Sequence, residues 1–340
     1  MTSNITRGKE MYKTNFHRQD ISNASFLVTG GAGFIGSNIV NYLLTFGAKK
    51  VRVIDNLSNS TGENLKPFIE YSNFEFVEGD ISNYDDCLNV TEGIDFISQQ
   101  AALGSVPRSL ANPIATNNAN VVGFLNMITA ARENKVKRIV YASSSSVYGD
   151  SQKMPKVENE IGSPLSPYAV SKFTNELYAK VSHLNYGQEI VGLRYFNIFG
   201  PNQSPNGAYA AVIPLFIEAL LKNQSPFING GGDQSRDFTY VENAVQANVR
   251  ALFTENDKAL GEVFNVAVGE KFSLNDLFNL IKSGTNATVS AVHREERIGD
   301  VKNSLADISK ATNLLDYQPK VRFQEGIERT IEWFKNKKES

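Results

Sequence analysis

The chain has 340 residues, 41% of them hydrophobic and 21% charged, with a formal net charge of −2 at pH 7. That length suffices for one large or two modest domains with a sizeable core, and the charge balance provides no basic field for nucleic acid. The one cysteine, Cys87, excludes an intramolecular disulfide, and the three histidines (His17, His183, His293) have no metal-ligand spacing, so no metal site is expected.

Residues 1–23 are polar and show no clear period. They read as an arm, either mobile or folded into a short capping helix, and they lack the apolar core of a signal peptide. No apolar run approaches the roughly 20 residues needed to span a bilayer. A soluble, cytoplasmic protein with no membrane partner is therefore expected.

Phe26-Leu27-Val28 reads as a short buried strand. Thr29-Gly30-Gly31-Ala32-Gly33 is a tight turn, and Phe34-Ile35-Gly36 opens an amphipathic helix with Ile39, Val40, Leu43 and Leu44 on one face. The glycines are spaced G-x-x-G-x-x-G. Gly30 permits the turn, Gly33 lets a pyrophosphate approach the backbone, and Gly36 allows close packing of helix on strand. The helix start at Phe34 and Ile35 offers free N–H groups to phosphate. A second strand, Val51–Ile54, ends at Asp55, about 20 residues beyond the glycines. A carboxylate there accepts both ribose hydroxyls of NAD and repels the extra phosphate of NADP. Asn56 and Ser58 follow it in the turn and join the candidate cofactor set.

Further strands are read at Phe74–Val77, Ile94–Ile97, Arg138–Ala142 and Ile190–Leu193, with helical patterns over Ala115–Asn134 and Tyr168–Tyr186. Such alternation predicts an α/β fold, a Rossmann-type doubly wound parallel sheet, over residues 24–195. Residues 196–340 read mainly as a smaller mixed α/β substrate domain, from which the chain returns to the sheet around 237–266. Within it Asn197–Ala208 reads as a long loop, Val212–Lys222 as a helix, Phe227–Gly232 as strand and turn, Val263–Ala267 as a strand and Phe323–Lys335 as a terminal helix.

Two stretches carry chemistry. Tyr168-Ala169-Val170-Ser171-Lys172 puts Tyr and Lys four apart, stacked on one helix face, and Pro167 suits the helix start. A phenol titrates near ~10; a neighbouring ammonium and a nicotinamide cation both favour the phenolate, which then serves as general base for an alcohol proton. Ser143–Ser146 follow the strand ending at Ala142, where their hydroxyls can relay a proton between Tyr168 and a substrate oxygen. No Ser-His-Asp arrangement points to a hydrolase.

With these residues in view, the chain resembles the extended short-chain dehydrogenase/reductases and, within them, the UDP-sugar 4-epimerases. The resemblance rests on TGGAGFIG (Thr29–Gly36), Asp80, Asn120–Gly123, SSSSVYG (Ser143–Gly149), YAVSK (Tyr168–Lys172), RYFNIFGP (Arg194–Pro201) and RDFTYV (Arg236–Val241). It is most similar to the bacterial UDP-N-acetylhexosamine 4-epimerase group through AALGSVPRS (Ala101–Ser109), PNGAYAAVIP (Pro205–Pro214) and SLADISKA (Ser304–Ala311).

The resemblance implies Tyr168 as base, Lys172 as its partner on the nicotinamide ribose, and Ser144 as the bridge from Tyr168 to the sugar O4. It implies that Ser145 and Ser146 face the sugar, that Asp80 and Ile81 meet the adenine, and that Gln100, Ala101, Ala102 and Tyr195 complete the NAD site. Asn120 braces the Tyr–Lys helix. Asn197, Arg236, Arg297 and Asp300 hold diphosphate and uridine, with Ala211, Val212 and Asn229 also on the substrate side. Gln99 stands where the family usually has His. The related dehydratases carry an Asp-Glu pair beside the strand-end serine; Ser145-Ser146 here implies transient oxidation at C4, rotation of the 4-keto sugar and return of hydride to its other face. Ser304, where galactose-type epimerases carry Tyr, leaves room for a 2-acetamido group that Ser105 and Arg108 could bond. The expected enzyme interconverts UDP-N-acetylglucosamine and UDP-N-acetylgalactosamine, with NAD, as a homodimer. UDP-glucose/UDP-galactose or 2-acetamido uronic acid substrates, and an NAD-sensing binding protein, are the alternatives.

Overall fold

Seven strands hydrogen-bond into one parallel sheet in the computed structural model, which describes residues 12–206, 210–295 and 303–338. In chain order they are β1 (Ser25–Thr29), β2 (Lys50–Asp55), β3 (Phe74–Glu78), β4 (Phe96–Gln99), β5 (Arg138–Ser144), β6 (Glu189–Tyr195) and, last, Val263–Val266. In space the order runs β3, β2, β1, β4, β5, β6, then Val263–Val266. The progression reverses at β1, so the loops after β1 and β4 diverge there and leave a crevice at the strand ends. This is the doubly wound α/β architecture that the alternating elements predict.

Burial on both faces explains the near-continuous apolar strands. Phe26 and Val28 of β1 pack with Ile39 and Leu43 from the helix Phe34–Thr45 and with Val245 from the helix Val241–Phe253. Leu27, one residue out of phase, faces the other way, onto Phe124, Met127 and Ile128 of the helix Gly123–Glu133. The sequence predicts one regular helix over Ala115–Asn134. The structure instead runs Pro113–Asn117, a π-helical turn at Asn118–Val122, then Gly123–Glu133. The turn carries Asn120, whose amide donates to Ser171 Oγ at 3.0 Å and to Leu103 O at 3.2 Å, and whose Oδ1 accepts from Leu103 N at 2.7 Å.

The helix Pro167–Tyr186 is bounded by local chemistry: Ser166 Oγ accepts from Ala169 N at 3.2 Å, Pro167 fills the first turn, and Gly187 ends it at φ 65°. The loop read at Asn197–Ala208 holds a two-residue strand, Ile198–Phe199, paired with Thr239–Tyr240. Beyond it lie Phe227–Asn229 paired with Val292–Arg294, Ser235–Arg236 paired with Phe272–Ser273, and the closing helix Phe323–Lys338. Residues 12–23 form no helix and are not a free arm. Tyr12, Phe16 and Ile21 are buried, Phe16 stacks on Tyr42 at 5.4 Å, and the Tyr42 hydroxyl accepts from Phe16 N at 2.8 Å. No helix among the described residues is long and apolar enough to cross a membrane.

Candidate active site

The crevice at the strand ends opens into a cavity of about 720 Å³. Its floor is the glycine turn. Gly30 sits at φ +65°, and a Cβ there would lie 2.7 Å from Ala101 Cα. A Cβ on Gly36 would lie 2.8 Å from Gly31 Cα, whereas on Gly33 it would meet only Gly30 O, at 3.1 Å. Two glycines are thus required by the protein's own backbone, and the third leaves an open floor under the cavity. Phe34 and Ile35, at the helix start, line the same floor.

Asp55 leaves β2 beside this turn. Its carboxylate accepts from Ala32 N at 3.0 Å and from Leu57 N at 2.9 Å, and burial pushes its pKa up. A carboxylate offers about four acceptor positions, so capacity remains for a ribose diol on the cavity side. Asn56 and Ser58 line this end too, as do Asp80 and Ile81. Asp80 is fixed by Asn56 Nδ2 at 2.9 Å and Ser82 N at 2.8 Å. An open glycine floor, helix N–H groups and a carboxylate fit a dinucleotide.

Gln99, where His would be usual, accepts from Thr29 Oγ1 at 2.8 Å; Thr29 Oγ1 in turn accepts from Gln100 N at 3.1 Å and Ala101 N at 3.0 Å. The amide therefore supplies the acceptor that orients Thr29, and Thr29 holds the loop carrying Ala101 and Ala102 against the turn. Gln100 Oε1 accepts from the Tyr195 hydroxyl at 3.1 Å, and Asn248 Nδ2 donates to that hydroxyl at 2.7 Å. Gln100, Ala101, Ala102 and Tyr195 all line the cavity. Asn120 does not; it lies behind, clamped to Ser171.

Tyr168, Lys172 and Ser144 line the same cavity. Lys172 is 4% exposed and donates to Ala142 O at 2.8 Å; burial pulls its pKa down to about 8. Its Nζ lies 5.9 Å from the Tyr168 ring centre. Burial pushes the Tyr168 phenol up, and the hydrogen bond with Ser144 only partly opposes it. The expected lowering by the ammonium is therefore absent in the protein alone, because Lys172 is turned to a carbonyl and desolvation dominates.

The other serines diverge. Ser144 Oγ accepts from Ser146 N at 3.1 Å and caps a 3₁₀ turn over Ser145–Tyr148. Ser145 and Ser146 do not line the cavity; Ser146 Oγ is shielded and has no protein partner among the described residues. Ser143 donates to Glu176 Oε1 at 2.5 Å. Glu176 is held by Arg194 at 2.9 and 2.8 Å, a buried bidentate pair that sequence reasoning missed. A lone arginine, Arg194, in the apolar run Ile190–Phe196 was its signal.

Of the expected substrate residues, Asn197 lines the cavity and donates to Asp237 O at 3.0 Å. Arg236 lies in the strand Ser235–Arg236, and Ser304 N donates to Ser235 O at 3.1 Å, so these two are neighbours outside the cavity. Asn229 ends the strand Phe227–Asn229; Ala211 and Val212 begin the helix Val212–Leu221. Ser105 caps the short helix Val106–Ala111, and Arg108 in that helix donates to Asn59, on the Asp55 side. Arg297 and Asp300 lie outside the described residues. Asp237, beside Arg236, is fully buried and accepts from Val268, Gly269 and Ala306 N–H groups, while burial pushes its carboxyl up to about 6. Its bonds tie the Arg236 strand to the segment after Ser304.

Residues 26–267 match the family described as "NAD dependent epimerase/dehydratase family". A UDP-N-acetylglucosamine 4-epimerase from Methanobrevibacter ruminantium M1, solved in complex with UDP-N-acetylmuramic acid, is 40% identical with a TM-score of 0.87, over 93% of this chain and 99% of that one. A UDP-glucuronic acid 4-epimerase from Bacillus cereus, solved with UDP-glucuronic acid and NAD, is 31% identical with a TM-score of 0.84, over 92% and 99%. The UDP-glucose 4-epimerase of Mycolicibacterium smegmatis is 36% identical over 313 residues, 92% of this chain and 98% of that protein.

Proposed function

The chain belongs to the NAD dependent epimerase/dehydratase family and is, within it, a UDP-sugar 4-epimerase, and we propose that it interconverts UDP-N-acetylglucosamine and UDP-N-acetylgalactosamine. The presence of Tyr168, Lys172 and Ser144 in the lining of a cavity floored by the glycine turn supports the 4-epimerase chemistry, and the 40% identity to a UDP-N-acetylglucosamine 4-epimerase supports the choice of sugar. Gly33, the start of the helix Phe34–Thr45, Asp55 and Lys172 would hold NAD, which when bound would supply reversible hydride acceptance.

The chain's own groups manage protons and orientation. Ser144 receives the O4–H and hands its hydrogen bond to Tyr168. The Tyr168 oxygen takes the proton as C4 becomes a carbonyl and gives it back after the sugar has turned. To accept that proton Tyr168 must stand as phenolate, a form that Lys172 would favour once its ammonium turned from Ala142 O toward the phenol. The two residues after Ser144 are Ser145 and Ser146, not an Asp-Glu pair able to remove water, which favours epimerisation over elimination.

The acetamido preference rests on Ser304. It is half-buried and small, and its backbone is bonded beside Arg236. Arg236 suits the diphosphate, through paired charged hydrogen bonds; Arg297, its expected companion, lies outside the described residues. Incubation with UDP-N-acetylglucosamine and UDP-glucose separately, followed by separation of the products, tests the assignment. Ser304→Tyr is expected to lower turnover of the acetylated sugar at least tenfold while sparing UDP-glucose; equal turnover of both by wild type, or an unaffected acetylated reaction in the variant, counts against it.

The working protein is a homodimer. On the helix Pro167–Tyr186, Val170, Leu177, Val181 and Leu184 are each at least half exposed, at 51, 53, 50 and 68%. They recur at helical spacing and form an apolar stripe too large for a solvated helix. A second copy would cover the same stripe symmetrically. The double substitution Leu177→Glu/Leu184→Glu is expected to give a monomer by sedimentation equilibrium; a wild type that sediments as a monomer excludes the dimer.

A further inference from the structure

We propose that Arg108 and Asn59 form a strap across the cavity mouth that slows escape of the dinucleotide, a statement resting on the NAD reading above. β2 and β4 flank β1 on either side. Asn59 lies in the segment after β2 and lines the cavity. Arg108 lies in the short helix after β4, four residues beyond Gly104, which also lines it. The Arg108 Nη1–H donates to Asn59 Oδ1. The bond therefore joins the two segments, after β2 and after β4, that line the cavity on either side of β1.

Both rims are anchored, so the bond links two fixed points. On the β2 side Leu57 N donates to Asp55 Oδ1 at 2.9 Å and Asn56 Nδ2 to Asp80 Oδ2 at 2.9 Å. On the β4 side Leu103 N donates to Asn120 Oδ1 at 2.7 Å, and Ser105 Oγ accepts from Arg108 N at 3.3 Å. Asn59 is exposed and Arg108 half-buried, so the bond lies at the surface of the mouth and can open to load the cofactor. The chemistry gives the strap its purpose. An epimerase that lost its reduced cofactor while the sugar stood as ketone would be stranded. Arg108, expected from sequence to meet the sugar's acetamido group, instead guards the cofactor side.

The test measures NAD release. Holoenzymes of wild type, Arg108→Met, Asn59→Ala and the double variant are gel-filtered into NAD-free buffer, and retained NAD is followed over time. Each single substitution is expected to speed release roughly three- to tenfold, as loss of one charged, partly exposed hydrogen bond implies, and the double variant no further than the faster single. Unchanged release in the variants overturns the strap, as does a double variant whose effect is the product of the singles. So does a raised KM for UDP-N-acetylglucosamine in Arg108→Met with NAD release unchanged, which returns Arg108 to the sugar. A wild type that binds no added NAD overturns the cofactor reading itself.

Discussion

Tyr168→Phe is expected to slow epimerisation by about a hundred- to ten-thousandfold, the range attached to a positioned general base. The substitution removes one oxygen and keeps the ring, so the helix Pro167–Tyr186 and the cavity wall are retained. Tyr168 lines the cavity beside Ser144, and burial pushes its phenol above the usual pKa, so the substitution removes the hydroxyl without disturbing a charged group of the resting protein. The loss should appear in kcat with little change in KM, because a proton shuttled only during the reaction contributes little to ground-state binding. Retained NAD, measured after denaturation, should match wild type. Ser144→Ala should show a smaller loss, since Tyr168 can still approach the sugar oxygen directly. Turnover by Tyr168→Phe equal to wild type would sink the catalytic assignment.

The second large effect concerns stability. Glu176→Gln should destabilise the fold by about 3–5 kcal/mol, the usual result of breaking a buried ion pair by neutralising one partner. Arg194 is 2% exposed and Glu176 7%. After the change the guanidinium keeps Glu158 O at 2.9 Å but loses its countercharge. Against total stabilities of roughly 5–15 kcal/mol, that is a large fraction, readable as a lowered urea midpoint. Because Ser143, Glu176 and Arg194 join β5, the Tyr–Lys helix and β6, the damage should reach the catalytic end as well. Glu176→Leu combined with Arg194→Met should restore much of the stability, since the pair's desolvation penalty disappears with both charges. A Glu176→Gln midpoint matching wild type would show that the pair is not needed.

What could be read in the chain beforehand depended on the range over which each feature is determined. The glycine turn, Asp55 and the Tyr–Lys pair are local: one strand end, one turn and one helix face fix their geometry, and all of them line the cavity. The π turn at Asn118–Val122 left no mark on the hydrophobic period, because it is held by Asn120 bonding Leu103 and Ser171, 17 and 51 residues away. Ser145 and Ser146 sit in a 3₁₀ turn that Ser144 caps and are not in the cavity lining, an arrangement that the run of four serines does not announce. Arg108 is the same lesson at longer range, since nothing in its own loop announces Asn59. The Arg236 and Ser304 neighbourhood depends on a meeting of segments nearly 70 residues apart, which no periodicity encodes.

The aromatic hem before β1 bears on where the gene can be trimmed. Tyr12, Phe16 and His17 all lean on Tyr42, whose hydroxyl joins Asn15, Phe16 and His17, and Gln19 reaches Phe253 O at 3.3 Å. A coding sequence shortened to start at the glycine motif would strip that cover, wet the ring of Tyr42 and leave a greasy flank on the outer side of the helix that greets the phosphates.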